Sequence, residues 1–358
     1  MTTNGGEVIG GVDTHGQTHH AAVISAGSGK LLGDEEFPAT AKGYRLLLRW
    51  MRTFGTVAKV GVEGTGSYGA GLCRLLTVEQ IPVVEVDRPN RQGRRLHGKS
   101  DPIDAIAAAR AVLAEAATAV PKDRTGAVEA IRILRTTRAG AVKARKAAIN
   151  QIHGLLFGAP EELRAALAGL DRAALVVRCA RLRVDVTQIA DPGAAAKIAL
   201  RRLAHRVQLL DAELAETDEQ LTDLVAKTAP VTTAIFGVGP QGAAQLLTTA
   251  GENPQRIRSE AALARLCGVA PIPASSGKTT RHRLHRGGDR QANSAIYLIV
   301  LCRLRWHPPT RAYVQRRTTE GKTKKEIIRC LKRAVVREIF IALRSDLAPE
   351  DKNQDTAA

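Results

Sequence analysis

Near residue 100 the chain changes character, and that change limits its architecture more than any other feature of the sequence. Up to about residue 87, short β-branched runs ("EVIGGVDTH", "HAAVISA", "KVGVE", "IPVVEVDR") alternate with helical patterns ("AKGYRLLLRWMRTFG", "YGAGLCRLLTVEQ"). From "SDPIDAIAAARAVLAEAA" onward the sequence turns rich in Ala and Arg and reads as helix, with breaks at "AVPKDRTG" and near "FGAPEE". These patterns predict an α/β domain that opens with a meander of strands, then an all-helical stretch, then a mainly α C-terminal part. The expected boundaries are 1–124, 125–228 and 229–346, with a polar, disordered tail over 347–358.

Within the helical stretch Leu203, Val207, Leu210, Leu214, Thr217, Leu221 and Leu224 recur in alternating steps of four and three, a heptad seam. The spacing fits a coiled coil, and it equally fits a helix packing back on its own domain. Further on, the G-V-G of "IFGVGPQG" resembles the hairpin of helix-hairpin-helix DNA binders, although an ordinary tight turn is the favoured reading. The stretch "CGVAPIPASSGKTTRHRLHRGGDRQANSAIYLIV" is rich in Pro, Gly and Ser, then basic, then apolar, and predicts a flexible loop leading into a helix.

Charge narrows the partner. Fifty-three Lys and Arg against thirty-five Asp and Glu leave a net charge of +18, a field suited to a polyanion. The charge is spread along the chain rather than gathered on one amphipathic helix, so nucleic acid is favoured over a membrane surface. Aromatic residues are 3% of the chain, which disfavours recognition of single strands by base stacking and leaves contacts to the backbone. No apolar run approaches the ~18 residues of a membrane span, and the N-terminus has no secretory pattern, so a cytoplasmic location is expected. The five cysteines are odd in number, scattered and without a C-x-x-C pair, which argues against disulfides and a Cys-based zinc site.

The acids sit where chemistry would need them. Asp13 ends the first strand, and Glu63 ends the run "VAKVGVE" immediately before a glycine-rich turn. The C-terminal edge of an open α/β sheet is where ligands bind. Asp101 and Asp104 share one face at a helix start, with Ser100 as N-cap and Pro102 in the first turn. Asp101 alone could serve the helix dipole, but four such carboxylates describe a site for two Mg²⁺ or Mn²⁺ ions about 3.5 to 4 Å apart. Glu85 and Asp87 rank below this set, since no helix signal brings a second acidic pair to them. His15, His19 and His20 lack i, i+4 spacing on a shared face and read as solvated turn histidines.

The motifs "GVDTH", "VEGTGSY", "GKSDPIDA", "FGVGPQGAAQLL" and "CGVAPIPASSGKTTRHRLHRGG" occur in an order that resembles the DEDD insertion-sequence transposases. That family includes Piv-type DNA invertases and RNA-guided bridge recombinases. The resemblance covers nearly the whole chain. It implies an RNase H-like, RuvC-like N-terminal domain whose four acids fall on Asp13, Glu63, Asp101 and Asp104. It also implies a nucleophilic serine in a C-terminal Ser-Gly pair, here Ser276 before Gly277, with Ser275 as the adjacent alternative. Further implications are double-stranded DNA as substrate, a bridge RNA as guide, dimers or tetramers, and a composite site of acids and serine within or between protomers. Lys99, Gly277, Lys278, Arg281, Arg283 and Arg286 are the expected nucleic-acid contacts, with His282 and His285 beside them in the basic run. A RuvC-type nuclease using water, and a non-catalytic nucleic-acid-binding protein, remain alternatives. An actin-like ATPase is disfavoured, because "GGD" lies in a basic run rather than in a phosphate loop.

Overall fold

Five strands form one mixed sheet in the order β3-β2-β1-β4-β5: β1 (Glu7–Thr14), β2 (Thr18–Ser25), β3 (Leu31–Pro38), β4 (Thr56–Glu63) and β5 (Val83–Val86). This computed structural model describes residues 6–86, 100–278, 282–283, 285 and 287–348. Lys99, Arg281, Arg286, Asp87 and the tail from 349 lie outside the described residues. The first three strands form an antiparallel meander, whereas β4 runs parallel to β1, and β5 parallel to β4. This arrangement is compatible with the RNase H-like fold.

Both faces of the sheet are covered. On one, α1 (Ala41–Thr53) and α2 (Ala70–Val78) bring Leu47, Met51, Leu72 and Leu76 onto Val12, Val23, Val60 and Val62. On the other, α3 (Asp101–Leu113) packs Ala108, Ala109 and Val112 with Ile9, Ile24 and Val86. The approach of α3 depends on absent side chains. A Cβ on Gly11 would lie 2.1 Å from the Ala105 carbonyl oxygen, and one on Gly61 2.9 Å from that of Ala108. Glycines on two adjacent strands facing alanines on the helix let the backbones meet, which seats the first turn of α3 beside the ends of β1 and β4.

The chain divides into two compact units, residues 1–125 with 250–258, and residues 126–249 with 259–358. The second unit is built on α4 (Ala127–Phe157) and α7 (Pro192–Thr228), which run antiparallel and are tied by Arg138–Asp218 and Arg145–Asp211 pairs. α5 (Glu161–Leu167) and α6 (Arg172–Ala180) close one end, where Ile149, Ile152, Leu163, Leu175 and Leu200 form a core. Along the heptad seam Val207, Thr217 and Leu221 are buried, whereas Leu203, Leu210, Leu214 and Leu224 are half-buried and Leu209, off the seam, is 73% exposed. The α4–α7 pair supplies an intrachain partner for this face of the helix.

The rest of this unit comprises α8 (Pro230–Ala234), α9 (Pro240–Ala250), α10 (Glu260–Leu266), α11 (Arg290–Trp306), α12 (Pro308–Thr319) and α13 (Lys324–Asp346). The G-V-G segment is a tight turn between α8 and α9, with Gly237 at φ +86° and Val238 buried. The buried Arg303 guanidinium donates to both Glu338 oxygens, at 2.8 and 2.6 Å, and to the Phe236 carbonyl. Among the described residues no helix is long and apolar enough to cross a membrane.

Candidate functional site

Asp13 is the penultimate residue of β1, a strand buried along nearly its whole length, and is itself only 6% exposed. Its position follows from chain direction: β1 and β4 are parallel and register Val12 beside Val62, so Asp13 and Glu63 end neighbouring strands at the same edge. Thr14 Oγ1 donates to the Glu63 carbonyl at 2.8 Å and fastens the two strand ends together. Gly64 follows at φ +71°, where a Cβ would lie 2.7 Å from that hydroxyl. The carboxylate at the end of "KVGVE" therefore sits on a turn that glycine makes possible.

Asp101 and Asp104 occupy the first turn of α3. Ser100 holds the N-cap position with extended backbone, but its side chain makes no capping bond; its carbonyl accepts the Asp104 N–H at 3.1 Å. Asp104 is buried at 2% exposure, whereas Asp101 is half-open to solvent.

His15 joins the two halves of the site. Its Nε2 lies 3.1 Å from Asp13 Oδ2 and 3.4 Å from Asp101 Oδ1. Among the described residues, Asp13, His15 and Asp101 are the group whose potential ligand atoms all fall within 4.8 Å of one another. His15 keeps the turn position expected of it, with 43% of its side chain exposed, but it also reaches two acids, since a residue two positions beyond a strand-end acid can return to the same side of the chain. The i, i+2 spacing of "DTH" signals the contact with Asp13 but not the one with Asp101. His19 departs from the expectation of a solvated turn histidine: it is fully buried, stacks on Tyr44 at 5.3 Å, and burial lowers its pKa. His20 pairs instead with Asp34 at 2.8 Å.

The donor set fits a hard divalent cation. Two carboxylates of like charge converge on one imidazole, and oxygen donors with a single nitrogen suit Mn²⁺ and, with added water, Mg²⁺. Glu63 ends β4 at the same sheet edge and Asp104 lies in the first turn of α3, and neither belongs to that tight group of atoms. Glu85 accepts from Thr65 Oγ1 at 2.7 Å.

In the second unit, the stretch expected to be a loop contains a short antiparallel ribbon, β6 (Ile272–Pro273) with β7 (His282–Arg283). Ser275, Ser276, Gly277 and Lys278 lie exposed toward its tip, and Gly277, at φ +53°, has open space around its Cα. The base is densely hydrogen-bonded where the tip is open. Asn293 Nδ2 donates to the Cys267 and Gly268 carbonyls at 3.1 and 2.8 Å, and its Oδ1 accepts from Lys332. Asp289 caps α11 through Gln291 and Ala292 and also accepts from Thr249 and Gln245. Burial lowers the Lys332 pKa and pushes the Cys267 thiol up to about 12, which suits a dry anchor and a cysteine without thiolate chemistry.

Residues 10–159 match the family model of DEDD transposases of the IS110 type, and residues 230–315 match that of transposases of the IS116/IS110/IS902 family. The four acids fall within the first match and Ser276 within the second. A stretch of 146 residues, 40% of this chain, is 30% identical to the insertion element IS900 uncharacterized 42 kDa protein of Mycobacterium paratuberculosis. A stretch of 118 residues, 32% of the chain, is 36% identical to the insertion element IS110 uncharacterized 43.6 kDa protein of Streptomyces coelicolor. These stretches span 37% and 29% of the relatives' own lengths.

Proposed function

Because the chain belongs to the IS110 family of DEDD transposases, we propose that it cuts and rejoins double-stranded DNA as the recombinase of an insertion sequence. The observation that carries this reading is the convergence of Asp13 and Asp101 on His15 at the sheet edge where Glu63 also ends. In this reading Asp13, Glu63, Asp101 and Asp104 hold two Mg²⁺ or Mn²⁺ ions, with His15 at the same centre. The chemistry such ions supply when bound is stabilisation of negative charge on the attacking and leaving oxygens of a phosphodiester.

Ser276 is the proposed nucleophile. A serine hydroxyl needs activation, and no base adjoins Ser276 in sequence, so the acidic centre is the proposed source. The Oγ–P bond forms as the phosphodiester P–O bond breaks, the Ser276 proton passes to a base, and the departing strand end leaves as a hydroxyl. Attack by the hydroxyl of another strand then expels Ser276. Each step exchanges one phosphate ester for another, so no ATP is required. The exposed tip, with Gly277 in the left-handed region, supports access of a rigid duplex to the hydroxyl.

Lys99, Gly277, Lys278, Arg281, Arg283 and Arg286 are the proposed contacts to nucleic-acid backbone, and a bridge RNA is the proposed guide. A protein rich in Arg and poor in aromatics suits duplex backbones while base pairing reads sequence. Residues 1–124 would act as the RuvC-like metal unit, 125–228 as a helical spacer and 229–346 as the serine-bearing part, in a dimer or tetramer. A cytoplasmic site of action on the nucleoid follows from the DNA substrate.

The test is a nicked suicide substrate built from the DNA junctions flanking the gene, with the DNA-linked peptide mapped by mass spectrometry. Wild type and Ser275→Ala should carry the adduct at residue 276, and Ser276→Ala should carry none and cut nothing. DNA linked to Ser275 would move the nucleophile by one residue. Free 5′-phosphate ends from an active enzyme without an adduct would replace this reading with RuvC-type hydrolysis.

A further inference from the structure

The glycine-rich turn after Glu63 is held from two sides, and only one of them belongs to the acidic centre. Thr14 pins the Glu63 carbonyl from β1. On the other side Thr65, 5% exposed, donates its hydroxyl to Glu85 Oε1 at 2.7 Å. Glu85 stands on β5 beside Val62 of β4, and its backbone N–H donates to the Ala119 carbonyl at 2.7 Å. Its second oxygen, Oε2, lies 3.6 Å from an Arg256 nitrogen.

Arg256 comes from far along the chain. It sits in the short 3₁₀ turn Pro254–Arg256, inside the 250–258 segment that joins the first compact unit. That segment is well fastened. Arg256 Nε donates to the Val120 carbonyl at 3.0 Å, Asn253 Nδ2 to that of Pro121 at 2.9 Å, and the Thr125 N–H to Glu252 at 3.0 Å. Arg256 also donates to the Ala250 carbonyl at 2.9 Å, which folds the segment on itself. With its side chain only 14% exposed, the guanidinium offsets the charge of a partly buried carboxylate in a place where water is scarce.

We propose that Glu85, anchored by Arg256 and acting through Thr65, is a positioning residue that sets where Glu63 presents its carboxylate. The inference rests on the reading that Glu63 helps to hold the divalent ions. Three features distinguish this chain of contacts from ordinary packing. The Thr65 hydroxyl is buried and needs an acceptor, which Glu85 supplies. The acceptor is a carboxylate, which makes the shorter and stronger kind of bond. Between Thr65 and Glu63 there is only Gly64, whose backbone freedom would otherwise let the strand end wander. Two anchors, one on each side of Gly64, remove that freedom.

Residues that orient metal ligands typically change metal affinity about 10- to 100-fold when lost, so the readout is Mn²⁺ affinity of the full-length protein by calorimetric titration, with thermal unfolding measured on every variant. Thr65→Val keeps the side-chain volume and removes the donor; it should weaken Mn²⁺ binding about tenfold or more, with unfolding still cooperative. Thr65→Ser restores the hydroxyl and should return the affinity to wild type. Glu85→Gln retains an acceptor and should bind Mn²⁺ more tightly than Glu85→Ala. A folded Thr65→Val that binds Mn²⁺ like wild type, while Glu63→Gln binds it weakly, overturns the positioning role and leaves the metal centre standing. Wild-type affinity in Glu63→Gln overturns the premise as well.

Discussion

Asp104 shows what a single buried acid is expected to do. It lies in the first turn of α3 at 2% exposure, behind the more open Asp101. On the proposed function, Asp104→Asn should abolish strand cleavage in Mg²⁺ while leaving nucleic-acid binding nearly unchanged, because the amide would alter the charge of the proposed cation site and leave the basic surface intact. Gel-shift and cleavage assays on the same preparation check this, and a variant that still cleaves at the wild-type rate would remove Asp104 from the centre. The positions of Asp13, Glu63, Asp101 and Asp104 were legible because each marks a local boundary, a strand end or a helix start. His15 was not, since its placement between Asp13 and Asp101 depends on α3 docking against β1, and those partners are far apart in sequence.

Among elements, the α4–α7 pair sets the mechanical frame of the second unit. Leu221 is fully buried in the seam, and Leu209 faces outward on the same helix. Leu221→Ala should cost about 2 to 5 kcal/mol of unfolding free energy, whereas Leu209→Ala should stay within about 0.5 kcal/mol, as measured by urea denaturation. A reversed order would mean that the outer stripe, not the inner seam, carries the packing. The heptad spacing made the buried stripe legible but not its partner, because steps of four and three describe one face of a helix and say nothing of which chain covers it. The ribbon under Ser276 was missed for a related reason: two-residue strands leave no alternation to detect.

For the whole molecule, the dominant property is charge. With a net +18, the proposed binding to nucleic acid should be largely electrostatic. The logarithm of affinity should fall with the logarithm of salt at about −0.9 per phosphate neutralised on B-DNA, and a loss of affinity should be plain between roughly 50 and 200 mM salt. Fluorescence anisotropy with a labelled duplex measures the slope. A flat response across that range would shift the weight of binding from counterion release to base contacts.

Local patterns determined a good deal of this protein: the strand meander and its helices, the acids at strand and helix ends, the serine beside a basic run, and the order of motifs that marks the family. Each can be read locally because it depends on side-chain periodicity or on the few residues that end an element. Tertiary structure alone decided the close seating of α3 on Gly11 and Gly61, the insertion of His15 between two acids, and the return of residues 250–258 to the first unit. These depend on van der Waals contact, charge proximity and buried hydrogen bonds between segments remote in sequence, interactions that exist only once the chain has packed.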